Sequence, residues 1–109
     1  MGRQAVGVVA VVVALGASLC FAGDLAAGRV VYEKKCRICH GDNGEGNPDV
    51  AKKLNAEQKP LWSDEVQKKT DAEFKKMFTE GIGKMKPPKN VSDTDMDNVI
   101  TFVRTIKKP

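Results

Sequence analysis

Cys36-Arg37-Ile38-Cys39-His40 decides how the rest of this chain is read. Two cysteines three positions apart lie along one helical turn, so both sulfurs face the same way. The histidine directly after them brings an imidazole to the same place. Four chemistries compete for the pattern. A disulfide is common where an exported chain keeps two cysteines. Zinc needs four ligands, and downstream of residue 22 there is no second cysteine pair and no second histidine. A thioredoxin-like redox pair belongs in a βαβ setting, of which the sequence gives no sign. Covalent haem attachment uses all three residues: the sulfurs form thioethers to two vinyl groups and His40 ligates the iron. The last reading accounts for most, and the chain around the motif favours it.

The chain has 109 residues, of which 41% are apolar. They are unevenly spread, with 16 in residues 1–22 and 29 in the 87 residues that follow. In those 87 residues Leu, Ile, Val and Phe together number 17, a fraction near that of chains that stay unfolded. A domain so thinly cored needs a disulfide, a metal or a large bound cofactor. A large multidomain enzyme and a polytopic membrane protein are both excluded by this arithmetic.

The apolar excess lies in a leader. Arg3 precedes a run from Ala5 to Ala22 whose only ionisable group is Cys20, and Cys20-Phe21-Ala22 closes it before Gly23-Asp24. This is the layout of a secretory signal peptide cut after Ala22, leaving 23–109 as one domain. An uncleaved anchor is the competing reading, but the run barely spans a bilayer and no basic stop-transfer cluster follows it. Without Arg3 the net charge of +4 becomes +3. Lysine doublets at 34–35, 52–53, 68–69, 75–76 and 107–108 read as solvated helix faces. No basic stripe with interleaved aromatics exists, so no nucleic-acid partner is expected.

The fold expected is all-α. A first helix runs from Asp24, its N-cap, to Lys35, with Leu25, Gly28, Tyr32 and Cys36 on one face. A second strong helix starts at Thr70, with Glu73 completing a capping box. Phe74, Met77, Phe78 and Ile82 form its apolar side, and Gly81 ends it in the left-handed conformation. The last helix is capped by Ser92 and Asp95, with Val91 stapled to Met96. Met96, Val99, Ile100, Val103 and Ile106 form its stripe, and Arg104, Lys107 and Lys108 its basic last turn. Short helical turns are expected at 49–54 and 63–68, and no strand. Gly41, Gly44 and Gly46 suit a chain turning beside a large flat ring.

For the sixth iron position, a second histidine is impossible, because His40 is the only one. Met77 and Met96 sit at core spacing on helices. Met85 lies in Gly83-Lys84-Met85-Lys86-Pro87-Pro88, a loop by composition, where a thioether to iron is one explanation for it. Met77, a lysine and water remain the alternatives.

With these parts in place, residues 23–109 resemble the class I c-type cytochromes, small electron carriers with one haem. The resemblance implies a cytochrome c-like fold, with three main helices and loops wrapped around one covalently bound haem c. It implies thioethers at Cys36 and Cys39 and iron held by His40 and Met85. In the family a small residue at the place of Gly28 lets the first and last helices cross closely, and aromatics resembling Tyr32 and Phe102 pack there. The family's ligand methionine follows a glycine-containing loop and commonly precedes proline directly; here Lys86 intervenes before Pro87. Pro48 resembles the proline whose carbonyl accepts the proton of the haem-binding histidine, an ordinary loop proline being the bland alternative. Trp62 is expected near the haem edge, either packing or bonding a propionate.

The function implied is transfer of single electrons between redox proteins, a donor and an acceptor, with a membrane-associated redox complex among the candidates. The carrier is expected to be a monomer, not an enzyme, in the periplasm. The competing reading is a ligand-binding or peroxide-reactive haem protein with an open sixth site; no acid/base pair suited to peroxide is apparent.

Overall fold

Gly28 sets the central contact of the fold. In the computed structural model, which describes residues 23–109 together with Gly2 and Gly7, it lies midway along α1 (Leu25–Lys35). There α1 crosses α6 (Asp93–Val103) so closely that a Cβ on Gly28 would stand 1.9 Å from the Asn98 carbonyl oxygen and 3.1 Å from Phe102 Cβ. Around the crossing Tyr32 and Phe102 pack with ring centroids 5.1 Å apart, and the Arg29 guanidinium lies 5.7 Å over the Phe102 ring. Asn98 also accepts the Asp24 N–H through Oδ1 at 2.8 Å, which ties the start of α1 to the middle of α6.

Gly28→Ala tests this contact. Alanine gains about 1 kcal/mol over glycine in helix propensity. Overpacking against a backbone carbonyl costs about 1–3 kcal/mol, because a helix axis has to move. The variant is therefore expected to lose up to about 2 kcal/mol in denaturant unfolding; a stabilised variant would contradict the crossing.

Four shorter or more peripheral helices complete the described residues: α2 (Arg37–His40), α3 (Pro48–Leu54), α4 (Asp64–Gln67) and α5 (Asp71–Glu80). No strand is present among them; the single isolated bridge joins Ile82 and Met85. Both expected capping boxes form. The Thr70 hydroxyl accepts the Glu73 N–H at 3.1 Å and the Ser92 hydroxyl accepts the Asp95 N–H at 3.0 Å, each with the reciprocal carboxylate bond. Lys75 on α5 reaches Asp93 and Asp97 on α6, at 3.1 and 2.8 Å, and holds the two helices together at that end. Arg104 does the same at the other end. It pairs with Asp71, donates to the carbonyls of Gln67 and Lys69, and lies 5.1 Å over the Phe74 ring.

The buried core is small: Tyr32, Phe74, Phe78, Met96, Val99, Ile100 and Val103. A wider rim of half-buried apolar side chains surrounds it, including Cys36, Leu61, Val66, Met77, Met85 and Val91.

Four expectations change. Leu25, the first residue of α1, is 49% exposed and does not join the buried core. Ile82 is not on α5 and is 47% exposed. Gly81 stops that helix at φ 79, ψ 173, a region open essentially to glycine alone and different from the left-handed helical conformation expected. A Cβ there would also meet the Met85 carbonyl oxygen at 2.6 Å. Finally, α6 ends at Val103, so Lys107 and Lys108 lie beyond it. Bonds from Thr105 to Phe102 and from Ile106 to Val103 tighten the chain there, and Ile106 still packs on the core.

The expected leader 1–22, its cleavage after Ala22 and the competing uncleaved anchor lie outside the described residues, apart from Gly2 and Gly7. Among the described residues no helix is long and apolar enough to cross a membrane.

Candidate functional site

The chain leaves α1 at Cys36 and re-forms at once as the four-residue α2, so Cys36, Cys39 and His40 all lie within one turn. Cys36 N–H donates to the Tyr32 carbonyl at 2.9 Å, the last bond of α1. The N–H groups of Cys39 and His40 both donate to the Cys36 carbonyl, at 3.2 and 2.9 Å. This is the local reason the three functional groups cluster: each backbone bond of the turn begins or ends at a residue of the motif.

Both cysteines are free thiols and half-buried. Burial is the larger cause, and the neighbouring Cys39 the smaller, of a Cys36 thiol pushed up to about 11. Burial also holds His40 below its ordinary value, so its imidazole is neutral and has a lone pair to offer a metal. Among the described residues no group of three or more His, Cys, Asp or Glu side chains is placed to hold a bare metal ion.

The glycines after the motif carry the turn. Gly41, Gly44 and Gly46 have φ of 81, 79 and 96, and the buried Gly44 accepts the Leu61 N–H at 2.8 Å. Tyr32 Oη donates to the Gly41 carbonyl at 2.5 Å. Burial pushes its phenol up to about 12, so it remains a donor at physiological pH.

Met85 lies in the loop between α5 and α6. Ile82 and Met85 exchange two backbone bonds, of 3.1 and 2.9 Å, across a two-residue turn. Positive φ falls on the first central residue, Gly83 at 55. The loop places Met85 half-buried against the same core that Cys36 borders, not exposed as a free loop residue would be. Met77 is half-buried against that core and Met96 is part of it. Lys86 is exposed, and it is Pro87 that packs near Gly81.

Pro48 is the exposed first residue of α3, and Trp62 is half-buried in the turn before α4. Two site residues escape sequence reading. Asn47 Nδ2 donates to the Ile38 carbonyl at 3.0 Å, and Gln58 Nε2 donates to the Cys39 carbonyl at 2.7 Å. Asn47 had a visible signal, an N-cap type directly before a proline; α3 therefore begins at Pro48, one residue before the expected turn. Gln58 had none.

These residues fit a covalently attached haem by donor chemistry: two cysteine sulfurs that form no disulfide, an imidazole and a soft thioether, with Cys36 and Met85 bordering a core of few buried side chains.

Residues 23–103 match the family described as cytochrome c oxidase, cbb3-type, subunit III, and the chain belongs to this family of c-type cytochromes. It is also 33% identical over 97 residues to cytochrome c-554(547) of Halothiobacillus neapolitanus, covering 79% of this chain and all of that relative. No solved structure matches the chain. As a c-type cytochrome the protein binds haem c covalently, with its iron, and belongs to haem-based electron transport.

Proposed function

We propose that the protein is an exported carrier of single electrons, with haem joined through Cys36 and Cys39 and its iron held by His40 and Met85. The observation that carries this reading is the clustering of Cys36, Cys39 and His40 within the one turn formed by α2 and its N-cap. The haem, when bound, supplies one-electron iron chemistry; the protein supplies ligands, burial and a docking face. His40 offers its lone pair from a backbone held at both ends of a short turn. Met85 offers a weak, soft sulfur from a loop braced by its pairing with Ile82. With both axial positions filled by protein, exogenous oxygen and peroxide have no place to bind, which favours a carrier over an enzyme. Methionine opposite histidine also raises the potential relative to two histidines.

The partners of this reading are an electron donor and an electron acceptor, a membrane-associated redox complex among the candidates, and the carrier acts as a monomer. The apolar run 5–22 behind Arg3 supports export to the periplasm with cleavage after Ala22. Pro48, at the start of α3, and Trp62 are proposed as supports of the haem surroundings, Pro48 through its carbonyl and Trp62 by packing.

Haem staining of a denaturing gel tests the attachment directly, because thioether-bound haem survives denaturation. Spectra then test the ligation. A sulfur-to-iron band in the oxidised protein and no binding of carbon monoxide by the reduced protein are expected. A stained band that binds carbon monoxide readily would replace the carrier by a ligand-binding haem protein.

A further inference from the structure

The last four carbonyls of a helix have no partner within it, and α2 has only four residues. In this protein each of those carbonyls, and the one after it, is taken by a donor. Arg37 O accepts from Gly41 N at 2.8 Å. Ile38 O accepts from Asn47 Nδ2 at 3.0 Å, and Cys39 O from Gln58 Nε2 at 2.7 Å. His40 O accepts from Gly46 N at 2.7 Å, and Gly41 O from Tyr32 Oη at 2.5 Å.

Two of these donors are interlocked. Gln58 Oε1 accepts the Asn47 N–H at 2.9 Å while its Nε2 serves Cys39. Its amide is therefore used at both ends, and its orientation follows from its partners: reversed, it would set N–H against N–H and oxygen against oxygen. Asn47 is also used twice, since its Oδ1 caps α3 at the Asp49 and Val50 N–H groups. Gly46, between them, leaves room for Gln58, whose Oε1 would lie 3.0 Å from a Cβ at that position.

We propose that Gln58, working with Asn47, is a positioning residue that holds the backbone of Cys39 and His40. The imidazole thus keeps one orientation toward the haem in both oxidation states. Gln58 bonds neither the sulfur nor the ring; it acts through the peptide carrying both. A carrier benefits because a ligand that does not turn between oxidation states adds little to the reorganisation accompanying each electron. The proposal rests on His40 being the iron ligand.

The test uses holoprotein. Gln58→Glu keeps the acceptor for Asn47 and turns a carboxylate oxygen toward the Cys39 carbonyl. Gln58→Met keeps the length and removes both bonds without a charge. Asn47→Asp keeps the cap on α3 and removes the donor to Ile38. Val99→Ala, in the core and bonded to neither Gln58 nor Asn47, is the control for simple loss of stability. In the oxidised protein the paramagnetically shifted haem methyl resonances report the axial imidazole's orientation, and voltammetry reports the potential.

Both Gln58 variants are expected to redistribute the methyl resonances and shift the potential, with Asn47→Asp doing so more weakly. Val99→Ala is expected to lower the thermal midpoint and leave both readouts unchanged. Wild-type resonances and potential in the Gln58 variants would overturn the proposal, even if their thermal midpoints fell. Wild-type protein without covalent haem would instead overturn the functional reading beneath it.

Discussion

Replacing Cys36 and Cys39 together by alanine is expected to abolish covalent haem and leave most of the chain unfolded. Residues 23–109 number 87, yet among the described residues only seven large side chains form the buried hydrophobic core. Each fully buried side chain of that kind stabilises by about 1.5–3 kcal/mol. Ordering the backbone costs about 1–2 kcal/mol for every residue. Domains near this size sit at the edge of independent stability. A large apolar cofactor set against the half-buried rim of Cys36, Leu61, Val66, Met77, Met85 and Val91 would add contact area. The double variant removes its covalent hold, and α2 loses the reason for bringing a neutral imidazole to the core. The expected measurements are an unstained band on a denaturing gel, loss of most helical circular dichroism and no cooperative thermal transition. A cooperative transition in the haem-free variant would show that the seven-residue core suffices alone.

How much of this was legible in the sequence depends on the range of each interaction. The motif at 36–40 and the two capping boxes are local, complete within five residues, and each could be read directly. Gly28 was legible because an isolated glycine in a helical pattern calls for a packing reason, and the Asn98 carbonyl supplies one. The apolar rhythm misled where a backbone conformation overrode it: Ile82 continues the period of α5, but Gly81 turns the chain first. The basic residues after Val103 were placed on α6 for a similar reason, since nothing in their pattern marks the helix end. Gln58 was invisible because its partner, Cys39, is nineteen residues away and an exposed-looking glutamine between helices carries no periodic signal. The spacing of Asn47 from Ile38 hides its second role in the same way, while its role as a cap was open to view.

Met85→Ala is expected to remove the sulfur-to-iron band, lower the reduction potential and open the iron to carbon monoxide. Three features of the loop favour Met85 in this role. The two bonds with Ile82 brace the backbone on both sides of the turn. Gly81 allows the Met85 carbonyl to approach where a Cβ would stand 2.6 Å away. The side chain borders the core that Cys36 borders from α2. Lys86 separates Met85 from Pro87; both Lys86 and Pro87 are exposed, and the Pro87 ring lies beside Gly81, so the extra lysine faces solvent. Met77→Leu and Met96→Leu replace one core side chain by another of similar volume and should cost less than about 1.5 kcal/mol each, with the band kept. Losing a soft sulfur ligand stabilises the oxidised iron relative to the reduced, which gives the fall in potential its sign. The three variants together make the assignment selective. If Met77→Leu removes the band and Met85→Ala keeps it, the ligand is on α5. If the band is absent from the wild type and carbon monoxide binds it readily, Met85 does not hold the iron, and the interposed Lys86 is the first residue to change.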